Sequence, residues 1–324
     1  MNTTAPTAHS TLRPGHGPSR VMLVVRLVAV PAALVGGWFL AKSQGLELKP
    51  VGGILLLLAA IAVNQFAILL IGWRMGVGLR LFGIELSMRE SMRIAIQSQF
   101  YFFFVPVSAS NEVARYLKIK AVRPETSMHE LVVALILDRV MGLTACVLIA
   151  IAALPVVGLR PIGGVALAPG WLLAIVAIVA IGAMLLAWKL GWLAKLGEAV
   201  RATRGRRALL VPAALLVLLM QAATITATWL AAKWLGLGID WPALAFGLSV
   251  GTLGQVVPLT FAGAGPAEVA GAAAFLALGS SAAEAGALAA LVYLTRLMAA
   301  LEGGAWELLQ GVRSLRARPE ATAS

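Results

Sequence analysis

Asn111-Glu112-Val113-Ala114, followed by Asp138-Arg139-Val140-Met141, is echoed later in the chain by Ala267-Glu268-Val269-Ala270 and Thr295-Arg296-Leu297-Met298. The glutamate-to-arginine spacing is 27 residues in the first copy and 28 in the second. Each copy follows an interrupted apolar segment containing a proline, Pro106 or Pro258, and each arginine stands inside an apolar run. The agreement of spacing and setting marks an internal repeat.

The sequence around the repeat is that of a membrane protein. Of 324 residues, 60% are apolar and 12% charged, with a mean hydropathy of +0.91. A span needs about 20 mostly apolar residues. Runs of that kind cover Val21 to Ala41, 51 to 72, 128 to 154, 169 to 188, 208 to 235 and 285 to 310, giving six full crossings. Residues 1–20 read as a disordered tail, 21–311 as one transmembrane domain and 312–324 as a second tail. The first run has an internal Arg26 and no small-residue cleavage site, so a retained span is expected in preference to a signal peptide.

Two apolar segments do not fit a full crossing. Ile94 to Val105 has 12 residues, about 18 Å of helix against a hydrocarbon core of about 30 Å. Pro242 to Leu278 is broken by Pro258, Gly263, Gly265 and Pro266. Both read as re-entrant hairpins, which return the chain to the side it came from. With that arrangement 19 of the 26 Lys/Arg fall in loops on one side, among them residues 73 to 93 and 112 to 125, and four on the other. The positive-inside rule then makes both termini cytoplasmic. The spans holding Arg139 and Arg296 run in opposite directions. The expected fold is therefore all-α and polytopic, with six spans and two opposed re-entrant hairpins forming an inverted repeat.

The net charge of +12 sits mostly in loops, so it points to topology and anionic lipid surfaces, with no nucleic-acid partner. The single Cys146 and the scattered His9, His16 and His129 give no ligand spacing, so no metal, cofactor or histidine-based catalysis is expected. Arg139 and Arg296 each lie 11 residues into their spans, about 16 Å deep, where a charge must face the protein interior or a wet cavity. Their partners fall among Glu112, Asp138, Glu268 and Glu302; structural ion pairing and direct substrate contact both fit the pattern. Asp138 is adjacent to Arg139, and neighbours on a helix point about 100° apart. Ser110 reads as the N-cap of a half-helix running through Arg115 to Lys120, and Pro266 as the first residue of another with Glu268 in its first turn. Arg115 is placed at the cytoplasmic mouth. Gln97, Asn111 and Gln255 are further polar candidates beside the breaks, and the run Phe100 to Phe104 reads as hairpin packing.

These residues carry a family resemblance. Ser87-Met88-Arg89-Glu90-Ser91, Glu112-Val113-Ala114-Arg115, Asp138-Arg139-Val140-Met141-Gly142, Gly263-Ala264-Gly265 with Glu268, and Tyr293-Leu294-Thr295-Arg296 resemble the transmembrane domain of lysylphosphatidylglycerol synthases and related stand-alone flippase-like proteins, some associated with hopanoid biosynthesis. The resemblance runs from about Leu81 to Gly311 and implies a polytopic inner-membrane protein that moves a lipid between leaflets. The implied cargo is an anionic or lysylated phospholipid, or a polyisoprenoid or hopanoid lipid. The soluble aminoacyl-transferring domain of the synthases has no counterpart here, and no nucleophile constellation is seen, so no enzymatic activity is expected. The alternative is a non-transporting accessory or scaffold protein that partners a lipid-synthesis enzyme.

Overall fold

A computed structural model describes residues 51–104, 110–157, 203–255 and 266–316, with residues 197 and 201 as isolated points. The expected spans at 21 to 41 and 169 to 188, the two hairpin tips and both terminal tails lie outside the described residues. Every described element is helical: α1 (Ile54–Arg80), α2 (Met88–Phe104), α3 (Ser110–Val122), α4 (Met128–Val157), α5 (Leu210–Trp234), α6 (Trp241–Gly254), α7 (Pro266–Ala277) and α8 (Ala282–Arg316), with a short 3₁₀ turn, Arg204–Leu209, leading into α5. Four helical stretches are long and apolar enough to cross a membrane: Ile54–Arg80, Met128–Val157, Gly205–Trp234 and Ala282–Gln310.

Leu, Ala and Ile dominate these stretches and favour the helix that alone satisfies its backbone in lipid. The ends are set chemically. At the start of α2, the Ser87 backbone N–H donates to Glu90 at 2.8 Å and the Glu90 N–H donates to the Ser87 hydroxyl at 3.2 Å, a reciprocal capping box. Ser281 and Glu284 repeat it at the start of α8, at 2.8 and 3.2 Å. The exits of α5 and α7 carry Gly236 and Gly279 at φ of 78° and 84°, left-handed positions that glycine occupies without a Cβ penalty. Leu237 N–H then reaches back to the Ala232 carbonyl at 2.9 Å, and Ser280 N–H to Phe275 at 3.1 Å.

Two three-helix units emerge, α2-α3-α4 and α6-α7-α8. In each, two shorter helices lie antiparallel and a long helix follows. Ser110 hydroxyl donates to the Tyr101 carbonyl at 3.0 Å, and Arg115 reaches Ser98 at 3.2 Å, which sets α3 back along α2. A Cβ on Gly251 would lie 3.0 Å from the Ala267 carbonyl and 3.3 Å from Gly271 Cα, so small residues bring α6 and α7 together. Ser110 is thus the first helical residue, with its hydroxyl spent on α2 and not on capping α3; Pro266 does open α7.

The units are intertwined. The long helix of each packs on the first helix of the other: α8 on α2 through Phe103, Phe104, Tyr293 and Ala300, and α4 on α6 through Ala150, Ala153, Ala245 and Phe246. Both contacts are antiparallel, so α4 and α8 run in opposite directions and the repeat is inverted. Helices α1 and α5 pack against each other beside the units, around Ala67, Leu70, Ala213 and Leu216. The described chain is an all-helical bundle in which opposed copies of one motif share an interface.

Candidate functional site

Glu112 sits in the first turn of α3 and pairs with Arg139 of α4; Glu268 sits in the first turn of α7 and pairs with Arg296 of α8. The spacing of the repeat therefore becomes the same bridge twice, from a short helix to the long helix that follows. Arg139 also donates to the backbone carbonyl of Gln255 at 3.2 Å, the residue ending α6 of the other unit. A helix end leaves carbonyls without helical partners, and a guanidinium there satisfies one and meets the negative end of the helix dipole. The first pair thus reaches across the interface between units.

Asp138, one residue earlier, faces another way. It accepts from Arg74 of α1 at 2.7 Å and from Arg115 of α3 at 3.3 Å, and Arg115 also donates to Ser98. Arg115, expected at a cytoplasmic mouth, is buried at 4% exposure. Arg74, by its place in the sequence, falls among the loop charges of residues 73 to 93. It instead lies well inside α1, which continues to Arg80, and it is buried. Nothing in the local sequence marks it, because its partner lies 64 residues away. The only clue is that a helix extended past residue 72 would put a guanidinium in apolar surroundings.

Accessibility divides the charges into two kinds. Arg74, Asp138 and Arg115 have side-chain exposures of 11%, 11% and 5%, whereas Arg139 and Glu112 keep 32% and 27%, and Arg296 and Glu268 keep 23% and 16%. The buried trio braces α1, α3 and α4; the two Glu–Arg pairs can still meet a ligand. Beside the first pair, Asn111 Oδ1 and Glu112 Oε2 are buried acceptors that meet no donor. Glu302 accepts from Gln65 of α1, and Gln97 donates to Gln310 at 2.8 Å, so both are polar ties from α8 to its neighbours. The aromatic run, expected to pack the first hairpin, packs against α8 of the other unit instead, with Phe103 and Tyr293 centroids 5.1 Å apart.

Toward the end of the bundle that bears the basic loops, Lys118 of α3 pairs with Glu307 of α8, and Arg123 reaches Glu90 at 3.3 Å. At the opposite end a cavity of 540 Å³ opens between Val156, Val157, Leu237, Asp240, Glu284 and Leu288. Leu288 precedes Arg296 by eight residues, about 12 Å along α8. Among the described residues no cluster of His, Cys, Asp and Glu could hold a metal ion.

Comparison with known proteins adds one finding. The family model described as the lysylphosphatidylglycerol synthase TM region matches residues 22–302, beginning well before the motifs that first suggest it and taking in the expected first span. No curated protein matches the chain significantly.

Proposed function

The chain belongs to the lysylphosphatidylglycerol synthase transmembrane-region family, and from that premise we propose that it is a lipid flippase-like transporter, not an enzyme, which moves a phospholipid or related lipid between leaflets. The observation that carries this reading is the pair of equivalent, partly exposed Glu–Arg bridges, one from each of two opposed units. In inverted-repeat transporters the substrate site lies near the midplane where interrupted helices from the two repeats meet. The topology that goes with it is six spans and two opposed re-entrant hairpins, in an inner membrane, with both termini cytoplasmic.

The chemistry follows from competition for the arginines. Each guanidinium is held by a carboxylate, so no bare charge stands in the apolar bundle. An arriving lipid phosphate takes the arginine and releases the glutamate, exchanging one charge-assisted contact for another of similar strength. Such an exchange lets the headgroup enter without falling into a trap it cannot leave. The cavity at the far end offers the released headgroup a vestibule, and the acyl chains remain in the surrounding lipid. No energy source is required for movement down a lipid gradient.

The test is leaflet exchange of fluorescent phospholipids in proteoliposomes, comparing wild type with Arg139→Ala and Arg296→Ala at equal reconstitution. The expected result is accelerated exchange in wild type and loss of about tenfold or more in each variant, the size of one charge-assisted contact. A wild-type protein that accelerates exchange of no lipid, anionic, zwitterionic or lysylated, would overturn transport in favour of an accessory role beside a lipid-synthesis enzyme.

A further inference from the structure

The two units are equivalent in their Glu–Arg bridges but not in charge. Around the first bridge, three guanidinium groups, Arg74 of the neighbouring α1 with Arg115 and Arg139 of the unit itself, meet two carboxylates, Asp138 and Glu112. Arg74 and Arg115 share Asp138, the neighbour of Arg139 on α4, and Glu112 stands three residues before Arg115 on α3, so these groups form one cluster. In the second unit the positions matching Arg115 and Asp138, three residues after the glutamate and one before the arginine, are Gly271 and Thr295. Among the described residues the matching ion pair there is Arg296 with Glu268, and Gly271 instead lets α6 approach closely. The cluster that Arg74 completes beside the first unit therefore carries one more positive than negative charge among the described residues, and Arg74 Nε within it is buried without a hydrogen-bond partner.

A low-dielectric interior tolerates an unbalanced charge poorly. Its field is felt where the cluster opens, at Arg139, the most exposed of its members. We infer that the first unit binds a lipid headgroup of net negative charge, a phosphodiester with no compensating amine, and that Arg74 sets this selectivity by supplying the cluster's excess charge. This rests on the transport reading of the site and adds to it the class of cargo. A zwitterionic headgroup brings its own cation and leaves the excess in place; a cationic one increases it. Arg74 touches no lipid itself. It acts through Asp138, which it shares with Arg115.

The experiment measures exchange of labelled phosphatidylglycerol and labelled phosphatidylcholine with identical acyl chains, in proteoliposomes holding wild type, Arg74→Gln or Arg74→Lys. Wild type should exchange the anionic lipid about tenfold faster, a modest outcome for one unit charge in partly screened surroundings. Arg74→Gln should bring the ratio near one, and Arg74→Lys should restore it. Equal wild-type rates, or a ratio unchanged in Arg74→Gln, overturn the inference while leaving transport standing. Absence of exchange for both lipids overturns transport instead. The charge preference is then read from thermal stabilisation of the detergent-solubilised protein: greater protection of wild type by the anionic lipid, lost in Arg74→Gln, supports the inference, and equal protection by both lipids overturns it.

Discussion

At the scale of the residue, Gly303 shows how tightly the site is held. A Cβ there would collide with the carbonyl oxygen of Ile96 and lie 3.1 Å from the backbone nitrogen of Phe100, so α8 and α2 touch backbone to backbone. Gly303→Ala should force the helices apart and cost about 1–3 kcal/mol, as overpacking does. Gly286 on the same helix has nothing within 4 Å of its would-be Cβ, and Gly286→Ala should be neutral or slightly stabilising. Thermal denaturation of both variants in detergent checks the contrast; equal melting temperatures would mean that the α2–α8 contact yields. The sequence predicts Glu112 and Glu268 as partners for the two arginines only among several choices. What it lacks is direction: Asp138 and Arg139 are neighbours, yet one faces Arg74 on α1 and the other the end of α6. Helical geometry argues against their pairing with each other, and only tertiary packing decides where each goes.

Elements were legible where their chemistry is local. The proline at the start of α7 and the long apolar runs can be read directly, while the first hairpin arm, expected as 94 to 105, proves to be Met88–Phe104. Its missing turn is polar, Met88-Arg89-Glu90-Ser91-Met92-Arg93, and apolar counting overlooks a helix set by a cap. That cap has a measurable titration. Donation from the Ser87 backbone N–H and then its hydroxyl, with Arg123 nearby, holds the Glu90 carboxyl below its ordinary value. A lowered carboxylate pKa contributes stability that is fully present above the unfolded value, about 4.3, and lost as pH falls through the folded one. Wild type should therefore lose thermal stability below about pH 4.3 more steeply than Glu90→Gln, in which this contribution is absent throughout. Parallel melting curves across pH 3 to 6, a range chosen about the carboxylate value, would refute the cap's role.

At the scale of the whole molecule, the decisive feature is that two like-built units run oppositely, and this is where sequence and packing support each other most strongly. The repeat could be read from spacing alone because an ion pair between a first-turn glutamate and an arginine on the next helix fixes how many residues separate them. The intertwining could not, since contacts of α8 with α2 and of α4 with α6 join segments far apart in the chain. Direction has a direct consequence for topology. Helix α4 begins just after the exposed Glu125 and α8 just after Ser280, and α4, with 30 residues, is about 45 Å long, more than the hydrocarbon core. Antiparallel long helices must start on opposite faces of the membrane. In a Cys146→Ala background, Glu125→Cys and Ser280→Cys should react with an impermeant maleimide from opposite sides, Glu125→Cys from the side bearing the basic loops. Removing Cys146, which is buried and accepts from Gln221, clears the only native thiol. Labelling of both positions from one side would break the inverted arrangement, and with it the reason for placing the two Glu–Arg pairs on a shared path through the bilayer.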